Sequence, residues 1–280
     1  MLKSHWIADR YRRGQLVSTV PAEIRIELLG PLSVRINHTP VMPRAAKPRQ
    51  VLALLALNAG RVVTVSTLME ELWGNRQPPS ALTTLQTYIL ESRRRIAAAM
   101  GPDHDPKWIL VTRHDGYMLD FPTDNIDVMR FERLAEAGRA AAEIEDHGLA
   151  SELLSRALAV WRGSALVDVR KGSVLELEAM VLEEGRLAVL GRRIETDLAI
   201  GRHADILGEL AALSARHPLN ENLSAQFITA LYRTGHTARA LQAFQRLRNS
   251  LVNELGIEPS ARLQRLQHAV LSRDPSLDAA

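Results

Sequence analysis

Between Ser80 and Ile96 the segment SALTTLQTYILESRRRI gathers hydroxyl, amide, carboxylate and guanidinium groups at helical spacing. Leu82, Leu85, Ile89 and Ile96 recur as one apolar stripe, and Thr84, Thr87 and Glu91 fall opposite it. Gln86 and Arg94 flank that polar face, and Arg93 to Arg95 close the segment in positive charge. Side chains of these types hydrogen-bond base edges or hold phosphates. The same pattern also describes a solvated surface helix whose cationic end complements its own dipole. A second group lies in WILVTRHDGYMLDF, Trp108 to Phe121, which reads as a hairpin. Asp115-Gly116 is expected to turn it, with Arg113 and His114 at its tip. Arg113 can then point at phosphate or a narrow minor groove, or bond a carboxylate at the rim.

The elements that would position these residues follow in a set order. Ile24 to Leu29 and Leu32 to Ile36 are β-rich runs broken by Gly30-Pro31, and Asn37-His38 with Pro40 makes a further turn. The helix VLALLALNAG follows Lys47-Pro48-Arg49, where proline suits a first turn, and is expected to end at Gly60. Ser66 precedes a short helix through Leu68 and Leu72 that closes at Trp73-Gly74, and Ser80 is the N-cap candidate for the polar helix. Strands, three helices and a hairpin make a winged helix-turn-helix, whose third helix enters the major groove while the wing reaches backbone or minor groove. Lys47 with Arg49, Arg93 to Arg95, and Arg113 then fall on elements that such a domain presents on one side.

Composition narrows the classes further. A length of 280 residues suggests about two domains, and 46% hydrophobic residues suffices for packed cores. The absence of cysteine excludes disulfides, thiolate metal sites and a cysteine nucleophile. No apolar run approaches a signal peptide or a membrane span, so an intracellular protein without membrane partners is expected. Residues 1–122 hold 16 Lys and Arg against 10 Asp and Glu, whereas the rest holds 19 against 22. A polyanionic partner for the first half and a protein partner for the second is the simplest electrostatic reading. No phosphate-binding loop, nucleophile elbow, HExxH or clustered metal ligands appear, so neither catalysis nor a cofactor is expected. Within 280 residues a phosphoacceptor receiver beside these two domains is not expected.

Turn formers in FPTDN mark a boundary near residue 122, and the pattern beyond it is helical. Gly201 and Gly235 stand 34 residues apart, each between apolar helices, which is the tetratricopeptide period. Ala230, Leu231, Ala240, Leu241 and Phe244 alternate small and large as a helix-pair interface does. An irregular earlier hairpin is expected around Gly148. Such arrays either make a concave groove for a partner or serve only as core.

At this point a family resemblance appears. ELLGPLSV, KPRQVLALLALNAG, LMEELWG, PPSALTTLQTYILESRRRI and ILVTRHDGYML resemble the OmpR-type winged helix of the Streptomyces antibiotic regulatory protein family. RFERLAEAGR, the turn Trp161-Arg162-Gly163, and the blocks LEEGRLAVLGRRIETDLAIGRH and NELGIEPSARLQRLQHAVL resemble that family's bacterial transcriptional activation domain. The implied fold is mainly α with a small β component: an OmpR-type winged helix over 23–122 and an all-α tetratricopeptide-like domain over 123–272. Residues 1–22 would be a basic extension, either a disordered arm or an over-long start, and 273–280 a tail. The resemblance implies a cytoplasmic, nucleoid-associated activator of a secondary-metabolite cluster. It would bind direct repeats in double-stranded promoter DNA near the −35 element as a homodimer or cooperative assembly, and recruit RNA polymerase holoenzyme. Carried over by position, the DNA-facing residues are Gln86, Thr87, Leu90, Glu91, Arg93, Arg94 and the wing's Arg113. Trp73 sits where an indole N–H can approach phosphate, or packs in the core. The family's basic residue and leucine before the arginine pair are here Glu91 and Ser92, and Glu91 can accept from cytosine N4. A helical-repeat adaptor whose winged helix contacts protein is the alternative.

Overall fold

A computed structural model describes residues 23–102, 104–122 and 125–277. The expected extension over 1–22 and the last three residues of the tail lie outside the described residues. The described residues divide into two compact units, one formed by those up to Leu134 with Arg156–Leu187 and the other by Ala135–Ser155 with those from Ala188 onward.

The first unit opens with β1 (Ile24–Glu27), β2 (Ser33–Ile36) and β3 (Thr39–Pro40), an antiparallel sheet in that order. Alternation explains its burial, because Ile24, Ile26, Val34 and Ile36 face the core. Asn37 and His38 join β2 to β3 with φ of 47° and 66°, a pair of left-handed residues that a primed two-residue turn needs. Next come α1 (Ala46–Leu57), β4 (Val63–Thr64), α2 (Val65–Trp73), α3 (Ala81–Met100), β5 (Leu110–Arg113) and β6 (Gly116–Leu119). α1 is almost wholly buried and packs on α2, α3 and β6. It ends at Asn58, and Gly60, with φ of 75°, turns the chain so that its N–H donates to the Leu119 carbonyl at 2.7 Å.

α2 is capped by the Thr64 hydroxyl, which accepts from the Thr67 amide at 3.2 Å. Ser80 does stand at the N-cap of α3, but its hydroxyl makes no cap bond, and its carbonyl instead accepts from the Thr84 hydroxyl at 2.9 Å. Leu82 corrects the expected stripe. The buried row is Ala81, Leu85, Ile89, Ser92, Ile96 and Met100, which leaves Leu82 exposed on the next row. Ala81 and Ser92, small enough to pack closely, take the places that a hydrophobicity pattern would give to leucine.

β4, β6 and β5 form the second sheet, in that order. Here too the structure differs from expectation. The turn residues are His114 and Asp115, since Arg113 pairs with Gly116 across β5 and β6. Gly116 answers a different need: a Cβ there would lie 2.0 Å from the Val63 carbonyl oxygen of β4, which only glycine permits.

Three carboxylates bind the winged helix to later parts of the same unit. Asp127, at the start of α4 (Asp127–Glu143), accepts from the Leu28 amide at 2.8 and 2.9 Å and from the Leu29 amide at 2.9 Å. Burial pushes its carboxyl above the ordinary carboxylate value, against the opposing pull of those amides and of Arg162. Asp168 accepts from the Leu32 amide at 2.7 Å and pairs with Arg49. Glu71 of α2, only 3% exposed, accepts from Gln50 Nε2 at 3.1 Å and from the amides of Gly172 and Leu175 at 2.6 and 2.9 Å. It thereby caps α6 (Ser173–Ala199), and a Cβ on Gly172 would meet the Glu71 carbonyl oxygen at 2.2 Å. Trp161 lies edge-on to Phe131 at 5.5 Å with the Arg186 guanidinium over its ring at 4.8 Å.

The second unit is helical. It holds most of α5 (His147–Leu158) and the later part of α6, then α7 (Leu207–Arg216), α8 (Glu221–Arg233), α9 (Thr237–Leu255) and α10 (Ala261–Ser272). α7 packs on α8, and α8 and α10 pack on α9. Gly201 and Gly235, each with φ of 80°, end their helices alike: the next amide returns to a carbonyl one turn back, Arg202 to Asp197 at 2.9 Å and His236 to Leu231 at 2.8 Å. The earlier hairpin turns at Glu145, with φ of 60°, and Gly148 is already within α5. Asp197, 3% exposed, is held by the Ser151 hydroxyl at 2.6 Å and Arg193 at 3.0 Å. Among the described residues no helix is long and apolar enough to cross a membrane, and no group of three His, Asp or Glu could hold a metal ion.

Candidate nucleic-acid interface

With its core row fixed, α3 exposes two adjacent rows at four-residue spacing. One is Leu82, Gln86, Leu90 and Arg94, and the other is Thr83 and Thr87. The Thr87 hydroxyl donates to the Thr83 carbonyl at 2.9 Å, so its oxygen can still accept a bond from a partner. Thr84 and Glu91 sit on the flank, half-buried. Glu91 Oε1 accepts from Arg95 Nη2 at 2.9 Å and from its Nε at 3.2 Å, and Arg95 also reaches the Met42 carbonyl at 3.3 Å.

Arg93 and Arg94 point to different tasks. The Arg93 guanidinium donates to the Leu110 carbonyl at 2.8 and 3.0 Å and to Thr112 Oγ1 at 2.7 Å, so it ties α3 to the first strand of the wing. Arg94 is exposed, with no partner among the described residues. At the wing, Arg113 lies 3.9 Å from Asp120 and keeps nearly half its side chain in solvent. His114 is fully exposed at the tip.

Lys47 and Arg49, expected among the basic residues on the DNA-facing side, have partners within the protein. The Lys47 ammonium lies 4.6 Å from the centroid of the Trp73 ring. Burial lowers its affinity for a proton and the Arg170 charge lowers it further. Trp73 is half-buried under that ammonium rather than enclosed in the core. Arg49 holds Asp168 and donates to the Leu32 carbonyl at 3.4 Å. The structure therefore gathers Gln86, Thr87, Leu90 and Arg94 with the additional Leu82 and Thr83 on α3, and leaves Arg113 and His114 open at the wing. Leu82 had been assigned to the core, and Thr83 could have been found from its i, i+4 relation to Thr87.

A winged helix with an open third-helix face, followed by helical hairpins, defines a class of two-part transcriptional regulators. Residues 41–119 match the family described as transcriptional regulatory protein, C terminal, and residues 126–271 match the bacterial transcriptional activator domain. The chain is 56% identical over 257 residues to regulatory protein DnrI of Streptomyces peucetius, covering 91% of this chain and 94% of that one. It is 35% identical over 270 residues to transcriptional regulator RedD of Streptomyces coelicolor, covering 96% and 77%. A solved structure of Mycobacterium tuberculosis EmbR in complex with a low affinity phosphopeptide superposes with a TM-score of 0.84 at 34% identity, covering 92% of this chain and 68% of that one. The chain belongs to the Streptomyces antibiotic regulatory protein family of transcriptional activators, with an OmpR-type winged helix and a helical activator domain.

Proposed function

We propose that this protein binds double-stranded promoter DNA sequence-specifically and activates a secondary-metabolite gene cluster for an antibiotic. α3 lies in the major groove with Gln86, Thr87, Leu90 and Arg94 toward base edges and phosphates, and the wing places Arg113 and His114 on backbone or minor groove. The observation that carries this reading is the pair of exposed rows on α3, linked to the wing through Arg93. The first turn of α3 also lacks an acidic residue and a side-chain cap, which suits its free amides to a phosphate. Glu91 Oε2, without a partner among the described residues, is available to a cytosine N4 amine. Arg93 serves by positioning the wing, and the Lys47 ammonium is held over the Trp73 ring. Direct repeats near the −35 element, cooperative or dimeric assembly on them, recruitment of RNA polymerase holoenzyme and a nucleoid location complete the reading, supported by membership of the family.

Footprinting of the full chain on the DNA flanking its own gene, against scrambled competitor and over a range of salt, tests it. Evenly spaced protected repeats are expected. Gln86→Ala should cost about 1–3 kcal/mol and relax preference at one base pair. Arg94→Ala and Arg113→Ala should weaken all sequences alike and each reduce the salt slope by about one. Equal affinity for scrambled DNA would overturn the proposal.

A further inference from the structure

Leu82 and Leu90 are 47% and 49% exposed, although the core row beneath them is complete without either. One exposed leucine is ordinary on a soluble protein. Here two of them occupy the same four-residue row and bracket Gln86, on a helix whose other exposed residues are Thr83, Thr87, Arg94 and the small Ala98 near its end. In the major groove nearly every exposed base atom is a hydrogen-bond donor or acceptor, and the C5 methyl of thymine is the apolar exception. A leucine set against any other edge strips water from a polar atom and gives nothing in return. Against a thymine methyl it buries apolar surface on both sides.

We infer that Leu82 and Leu90 are specificity-determining residues that read thymine methyl groups on either side of the base pair addressed by Gln86. This rests on the DNA-binding reading above and adds the chemistry of its target. Eight helical residues span about 12 Å, which corresponds to roughly three to four base steps along the groove. The target half-site therefore carries two thymines at that separation. An adenine lies between them, since a glutamine amide matches the N6 and N7 groups of that base.

Deoxyuridine differs from thymidine only by the missing methyl, so it isolates the contact. With the repeat defined by footprinting, each thymine is replaced singly by deoxyuridine and the affinity of the full chain is measured by fluorescence anisotropy. Two positions three to four steps apart should each lose about fourfold, the worth of one buried methyl-sized group. Leu82→Ala should abolish the loss at one position and Leu90→Ala at the other, while both variants still prefer the repeat to scrambled DNA. Both sites are exposed and alanine is the best helix former, so α3 persists in the variants. Repeat-specific binding with no deoxyuridine penalty, or penalties undiminished in both variants, would overturn the methyl contact and leave DNA binding standing. No preference for the repeat over scrambled DNA would overturn both.

Discussion

Arg93 and Arg94 are neighbours of the same type with opposite tasks, and only geometry separates them. Arg93 spends its fork on a carbonyl and a hydroxyl of β5, whereas Arg94 meets only solvent. Arg93→Ala should speed amide hydrogen exchange across residues 110–119 and also weaken DNA binding. Arg94→Ala should weaken binding while leaving that exchange unchanged. Arg93→Lys is expected to restore little, because an ammonium lacks the planar fork that spans two acceptors. Equal exchange in the Arg93 and Arg94 variants would refute the positioning role. Arg49 carries the same lesson. Its charge was visible in the sequence, but its partner Asp168 lies 119 residues away, beyond any local pattern.

At the scale of elements, the sequence reveals the order strands, helices and hairpin because each run carries its own period and its own breakers. Gly201 and Gly235 disclose the helical hairpins for a physical reason: both hold the left-handed conformation that terminates a helix. What escapes a pattern is close approach. Ala81 and Ser92 pack α3 where Leu82 was expected, and Gly116 is required by the Val63 carbonyl of β4 rather than by the turn beside it. Gly116→Ala should therefore destabilise the chain by about 1–3 kcal/mol, as β4 is forced from β6. Asp115→Ala, within the exposed turn, should stay within about 0.5 kcal/mol. Urea midpoints measured on the two variants decide this, and a neutral Gly116→Ala would mean that β4 is not seated there.

Considered whole, the first unit is assembled from stretches that are distant in the chain. Glu71 shows why this was hidden in the sequence: it reads as a surface charge in LMEELW, yet it is buried and satisfied by Gln50, Gly172 and Leu175. Glu71→Ala would leave the buried donors of Gln50 and Leu175 and the half-buried amide of Gly172 without their acceptor, at about 1–3 kcal/mol for each buried group left unsatisfied. Native-state hydrogen exchange should then show residues 46–57 and 175–187 losing protection together, as one cooperative unit. Loss confined to 175–187 would contradict that coupling.

The same three carboxylates bear on how this family can be recombined. A hybrid regulator spliced at Pro122, between the two family matches, would face one parent's Leu28, Leu29 and Leu32 amides with the other parent's substitutes for Asp127 and Asp168. A graft that moves DNA preference intact must carry residues 126–134 and 156–187 along with the winged helix, so the exchangeable part is discontinuous in the gene.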